Sequence, residues 1–147
     1  MEAHVAPPPP VLSAEEQSLY AQGVSEFNAR FFYECHDTLE ELWTGVRGPS
    51  RDFFQGLIQV AVGFHHLGNR NRVGAERLLG RALKRLEGYP DHYAGLALGE
   101  LRDEVAVWRR GLDPETNVDL SGRTPPQLSF VPALASSPGV APGRGEG

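Results

Sequence analysis

Between Phe31 and Trp43 the chain gathers an imidazole, carboxylates and aromatic rings at helical spacing: Phe31-Phe32-Tyr33-Glu34-Cys35-His36-Asp37-Thr38-Leu39-Glu40-Glu41-Leu42-Trp43. A step of roughly 100° per residue puts Phe32, Cys35, Leu39, Leu42, Trp43 and Val46 on one apolar face and turns Glu34, Asp37 and Glu41 away from it. His36 falls inside the apolar sector beside Trp43. Glu40, one turn on, sits at the edge of that sector, so the two can meet as i, i+4 neighbours at the margin of a core. A second polar set lies downstream, where Gln55, Gln59 and His66 fall within about 40° of one another and form a narrow line beside Val62. His65 projects instead toward the apolar side.

Three chemistries fit these residues. The first is structural: His36 and Glu40 satisfy Gln55, Gln59 and His66 across a helix interface, with Arg51 balancing the charge of Glu40. Leaving one such buried partner unpaired costs about 1 to 3 kcal/mol, enough to hold the set together without any ligand. The second is a ligand pocket between the helices, walled by Tyr33, Trp43 and Phe54, in which Gln55 and Gln59 read a small polar molecule. The third is a metal site in which His36, Glu40 and His66 bind zinc or iron and Glu40 or His66 acts as a base on bound water, a metal-assisted hydrolase. That set is short of ligands, because Glu34 points about 160° away from His36 and the chain has no HExxH and no paired Glu-x-x-His. A Gly-rich phosphate loop, a Gly-x-Ser-x-Gly elbow and a Cys-x-x-Cys pair are also missing. The reading therefore favours a binding or interaction module over an enzyme, with no cofactor.

The elements that must position these residues read as helices. Ser13 and Glu16 have capping-box spacing, so a first helix runs from about Ala14 to Ala29 with Leu19, Tyr20, Val24 and Phe27 inward. Asn28-Ala29-Arg30 forms a short connection, since Asn is tolerated where a helix stops in a left-handed turn. A second helix from Tyr33 to Val46 folds back, ended by Gly45, Gly48 and Pro49, and Ser50 is placed to cap a third from Arg51 to Gly68. Apolar residues cover well over half of that third helix, as expected of a central one. After a turn at Asn69-Arg70-Asn71, a fourth runs from about Arg72 to Glu87 with a basic outer face. A fifth runs from about Ala94 to Arg110, with Gly111 as its stop.

Shifting the sequence by forty places lays Arg30, Cys35, Leu39, Leu42 and Trp43 over Arg70, Ala75, Leu79, Ala82 and Leu83, an echo of helical-hairpin repeats. Two hairpins and a closing helix fit a compact bundle better than a solenoid, which needs about three repeats. The fold class is thus all-α, an antiparallel bundle of about five helices over residues 13–111. It follows a Pro-rich lead-in at 1–12, where Pro7 to Pro10 favour an extended, exposed polyproline conformation. Residues 112–147 form a largely irregular tail that only Leu128, Phe130, Val131 and Leu134 can dock, with disorder from about Ser136.

At 147 residues and a net charge of −5, the chain fits one domain and lacks the clustered cations that broad nucleic-acid binding needs. Its single cysteine, Cys35, faces the core and cannot close an intrachain disulfide, and no segment is apolar enough for a membrane or a leader. The expectation is a soluble cytoplasmic protein whose partner is a small molecule or a protein, not nucleic acid or a membrane. A homodimer is compatible with exposed apolar groups on the first or fifth helix.

Phe27-Asn28, the stretch Phe32 to Trp43, and Phe54-Gln55-Gly56-Leu57-Ile58-Gln59-Val60-Ala61-Val62 with His66 and Asn69 resemble the bacterial and archaeal domain-of-unknown-function 309 family across roughly Glu16 to Leu86. The resemblance implies a small all-helical bundle without an established activity. Asp37 stands where the family pattern usually has glutamate, which shortens that side chain's reach.

Overall fold

Ser13 begins the structure by the route its sequence indicates. Its hydroxyl accepts from Glu16 N at 3.1 Å while the Glu16 carboxylate accepts from Ser13 N at 2.9 Å, and α1 runs Ala14–Asn28. The computed structural model describes residues 6–116 and 118–131. Four more helices follow: α2 (Phe32–Gly45), α3 (Arg51–Gly68), α4 (Arg72–Leu86) and α5 (Leu98–Leu112). Successive helices pack on one another in chain order, and α3 is the best buried, with Phe53, Phe54, Val60 and Ala61 fully enclosed. The all-α expectation holds, with one two-stranded addition.

The α1–α2 connection is tighter than Asn28 suggested. Asn28 stays helical, and the left-handed residue is Arg30 (φ 71°), which lets Phe31 N donate back to Glu26 O at 2.9 Å. Asn28 is free to act elsewhere: its amide donates to Leu128 O at 3.0 Å and accepts from Leu128 N at 2.7 Å. Both guanidinium nitrogens of Arg30 donate to the carbonyls of Pro125 and Pro126. The segment 118–131 is thereby clasped along the bundle, and Leu128 is buried.

Two boundaries differ from expectation for identifiable reasons. Ser50 makes no side-chain cap, because its backbone is already helical and the chain turns at Gly48 (φ 87°), where a left-handed residue is required. The fifth helix starts later than Ala94, because Ala94 and Gly95 (φ 51° and 78°) form a two-residue hairpin turn between β1 (His92–Tyr93) and β2 (Leu96–Ala97). Residues 129–131 pair with this hairpin: Ala97 N donates to Ser129 O at 2.9 Å and Val131 N to Gly95 O at 2.8 Å. The helix then runs past Gly111, which is packed under Leu120, to Leu112. Expectations for Leu134 and for the chain from Ser136 concern positions outside the described residues.

Candidate functional site

Tyr33, His36, Glu40 and Trp43 recur at i, i+3, i+7 and i+10 and so form one stripe along α2. α3 runs antiparallel beside that stripe, and two contacts fix the register. At one end the Arg51 guanidinium sits 3.7 Å from the centre of the Trp43 ring. At the other, the rings of Tyr33 and His65 lie 5.5 Å apart. His36 occupies the stretch between, with its ring 5.7 Å from Tyr33.

The polar partners differ from those the wheel suggested. His36 Nδ1 is 3.5 Å from Asp37 and Nε2 is 3.8 Å from Glu40, contacts too long for strong hydrogen bonds, and the Glu40 side chain is 54% exposed. Arg51 does not balance Glu40. It donates to the carbonyls of Trp43 at 2.9 Å and Val46 at 2.7 Å and, with Arg47 on Thr44 O and Val46 O, closes a helix that has no basic residue in its own last turn. Gln59 and His66 belong to the other flank of α3. Gln59 lines a cleft with Asp52, Arg81 and Arg85, and the Asn71 amide lies 3.4 Å from His66 Nδ1. Gln55 is half-buried beside Arg51's turn and makes no hydrogen bond among the described residues. Phe54 is core, fully buried under Tyr20 with ring centres 5.3 Å apart, so it walls no pocket. No hydrogen bond among the described residues joins His36 or Glu40 to Gln55, Gln59 or His66. The register-locking network is therefore replaced by a stacked seam.

His65 is the residue the polar-line reading passed over. The periodicity contained the signal: Phe54, Ile58, Ala61 and His65 share the face that packs on α2, so an imidazole at its end meets the start of that helix. Beside it opens a cleft of about 480 Å³ with Phe32 and Phe64 as apolar floor and Tyr33, Glu34, His65 and Asn69 on its rim. Phe31 and Tyr33 are 57% and 53% exposed here, adjacent aromatics that the core does not use.

His36, Asp37 and Glu40 offer ligand atoms within 4.8 Å of one another. Asp37 approaches one ring nitrogen and Glu40 the other, so an ion held by one His36 nitrogen would have to draw one of the two carboxylates across from the far side of the ring. A tetrahedral centre needs three or four protein ligands, and His66 faces the opposite flank. Cys35 is fully buried, and burial, with Glu26 adding to it, pushes its thiol up to about 12, which favours the thiol over the thiolate.

These features define an all-α protein of two stacked helical hairpins and a closing helix, with a half-exposed aromatic and imidazole seam between the hairpins. Residues 20–78, which span the whole seam, match the model of the family described as Domain of unknown function (DUF309). The chain is 28% identical over 90 residues to an uncharacterized protein of Aquifex aeolicus, an alignment covering 60% of this chain and 27% of that one. It is 35% identical over 82 residues to the uncharacterized protein YpuF of Bacillus subtilis, covering 54% of this chain and 46% of that one. The chain thus spans less than half the length of each relative. Among the described residues no helix is long and apolar enough to cross a membrane.

Proposed function

We propose that this protein is a non-catalytic binding module whose recognition surface is the Phe31–Tyr33–His65 end of the α2–α3 seam. The observation that supports it is Tyr33, half exposed, with its ring beside both His36 and His65 at the rim of a cleft with an apolar floor. Such a cleft suits a planar, partly apolar group: the exposed rings stack on it, and the imidazoles and Asn69 offer hydrogen bonds at its edge.

The test is an amide-shift titration with indole, adenine and nicotinamide as probes. Shifts are expected in residues 31–33 and 65–69 and are lost in Tyr33→Ala, whose own melting temperature stays within about 2–4 °C of the parent. Shifts confined to α4 or α5, or undiminished in Tyr33→Ala, reject the reading. A second reading, metal binding for hydrolysis, draws on the proximity of His36, Asp37 and Glu40. It requires one equivalent of zinc or iron to survive dialysis and to be lost in His36→Ala.

A further inference from the structure

Beside the α2–α3 loop, Phe53, Tyr89 and Tyr93 stack on one another, with ring centres 5.7 Å apart for Phe53 and Tyr89, 4.9 Å for Phe53 and Tyr93, and 4.7 Å for the two tyrosines. The loop that carries the tyrosines is fixed independently of what lies on it. Arg102 donates to Tyr89 O at 2.8 Å and to Asp91 at 2.7 Å, and the Tyr89 hydroxyl donates to Pro49 O at 2.5 Å. Tyr93 is buried, and its hydroxyl donates to Pro8 O at 2.6 Å.

The chain's own Pro7–Pro10 run lies on this face instead of projecting from the bundle. Pro7 and Pro10 are half-buried while Pro8 and Pro9 are exposed, which is the three-residue period of a polyproline helix laid down on one side. Proline has no N–H, so such a segment offers only ring faces and carbonyl acceptors. Aromatic rings plus a hydroxyl donor are the groups that bind it. The seating is shallow. A space of about 280 Å³ remains between Pro8–Leu12 and the α2–α3 loop, and Val11 is 97% exposed.

We propose that the Tyr89–Tyr93 face is a proline-recognition groove, held in cis by Pro7–Pro10 and open in trans to a proline-rich segment of another protein with prolines three residues apart. Charge specifies that partner further. The cleft that Pro7 shares with Tyr89 carries Arg81, Lys84 and Glu87 on its rim, while Asp52 there is already bound to Arg85, so the rim keeps a net positive charge. Acidic residues preceding the first proline therefore match it.

The probe is a fluorescent peptide of residues 6–12, Ala-Pro-Pro-Pro-Pro-Val-Leu, with and without two added aspartates at its N-terminus. The full chain binds it weakly, because the tethered strap competes at an effective concentration in the millimolar range. Pro7→Ala/Pro10→Ala in the full chain raises peptide affinity by about tenfold, and the aspartates raise it further in a salt-sensitive way. Tyr93→Phe, which keeps the ring and removes the donor, lowers it several-fold. In the unmodified protein, excess peptide moves the amide resonances of Val11 and Leu12, which flank the prolines, and the proline side-chain carbon resonances to unstructured positions while the helix amides stay in place. That readout needs no variant to fold. Equal affinity of parent and double-proline variant, indifference to Tyr93→Phe, or groove shifts without strap release overturns the proposal. Dimers that the peptide dissolves overturn it in favour of strap exchange between two copies.

Discussion

Arg51 shows how one side chain can settle a helix end. Its guanidinium lies over the Trp43 ring and donates to the carbonyls of Trp43 and Val46, adding a charged donor to each beside Val46 N on the first and Arg47 on the second. Hydrogen bonds from a charged donor contribute about 1.5–3 kcal/mol and a cation on an indole face about 0.5–1 kcal/mol, and the terms overlap. Arg51→Met should therefore destabilise the protein by about 2 kcal/mol in urea unfolding. Arg51→Lys should recover less than half, since an ammonium cannot stack and reach both carbonyls. Equal stability of the Met variant and the parent would remove this account of the seam's lower end. At this scale the helical wheel assigned the α2 residues neighbours that the structure does not bring to them. A 100° step shows that Gln55, Gln59 and His66 share a line, but it cannot show that the line borders α4 on one side and leaves the α2 face to Ile58 and His65.

The forty-residue echo is carried by matching contacts. Gly23 faces Leu39 in the first hairpin, and Gly63 faces Leu79 in the second. The turns repeat as well: Phe31 N donates to Glu26 O and Asn71 N to His66 O, around left-handed Arg30 and Arg70. A Cβ on Gly23 would stand 2.5 Å from a Leu39 methyl, and one on Gly63 would stand 2.7 Å from a Leu79 methyl, so each leucine fits only because the glycine is bare. Overpacking costs about 1–3 kcal/mol, against at most about 1 kcal/mol gained in helix propensity. Gly23→Ala and Gly63→Ala should each lose about 1–2 kcal/mol. Gly68→Ala, with open space around its Cβ position, should be neutral or stabilising. Adding Leu39→Ala to Gly23→Ala should cost less than the two single losses combined, a coupling that a double-mutant cycle reads directly. Helix number, order and most ends were legible because long amphipathic periods and a capping box dominate locally. The strand pair was not, because its turn is Ala-Gly, not Asn-Gly, and its third partner comes from residues 129–131.

Across the molecule, the aromatic interior ties stability to alkaline pH. Tyr20 is buried between Phe54 and Phe130 and donates to Ala94 O, and burial, with Tyr93 adding, holds its phenol above the ordinary tyrosine range. Burial likewise raises Tyr89, although the Phe53 backbone pulls it back. Tyr93 is pushed up to about 12 by burial with Tyr89 adding, and Cys35 also to about 12 by burial with Glu26 adding. All four groups are neutral when protonated, and the folded chain holds their protons more tightly than the unfolded one does. Their contribution is fully present below the unfolded values of 9.0 for the thiol and 10.0 for the phenols. It is lost as pH rises through the folded values, because the unfolded state then gives up protons the native state must keep. Urea midpoints, insofar as these groups set them, should therefore hold up to about pH 9 and fall progressively toward about pH 12, with the absorbance of the three buried phenols, read in Tyr33→Phe, appearing together with the loss of helix. In Cys35→Ala the start of the fall should move up toward the phenol range, since the group that begins it is gone. In Tyr33→Phe, tyrosinate absorbance developing fully near pH 10 in a chain that stays helical would show that the Tyr20–Tyr89–Tyr93 interior is open to water, and the proline groove built on it would lose its floor.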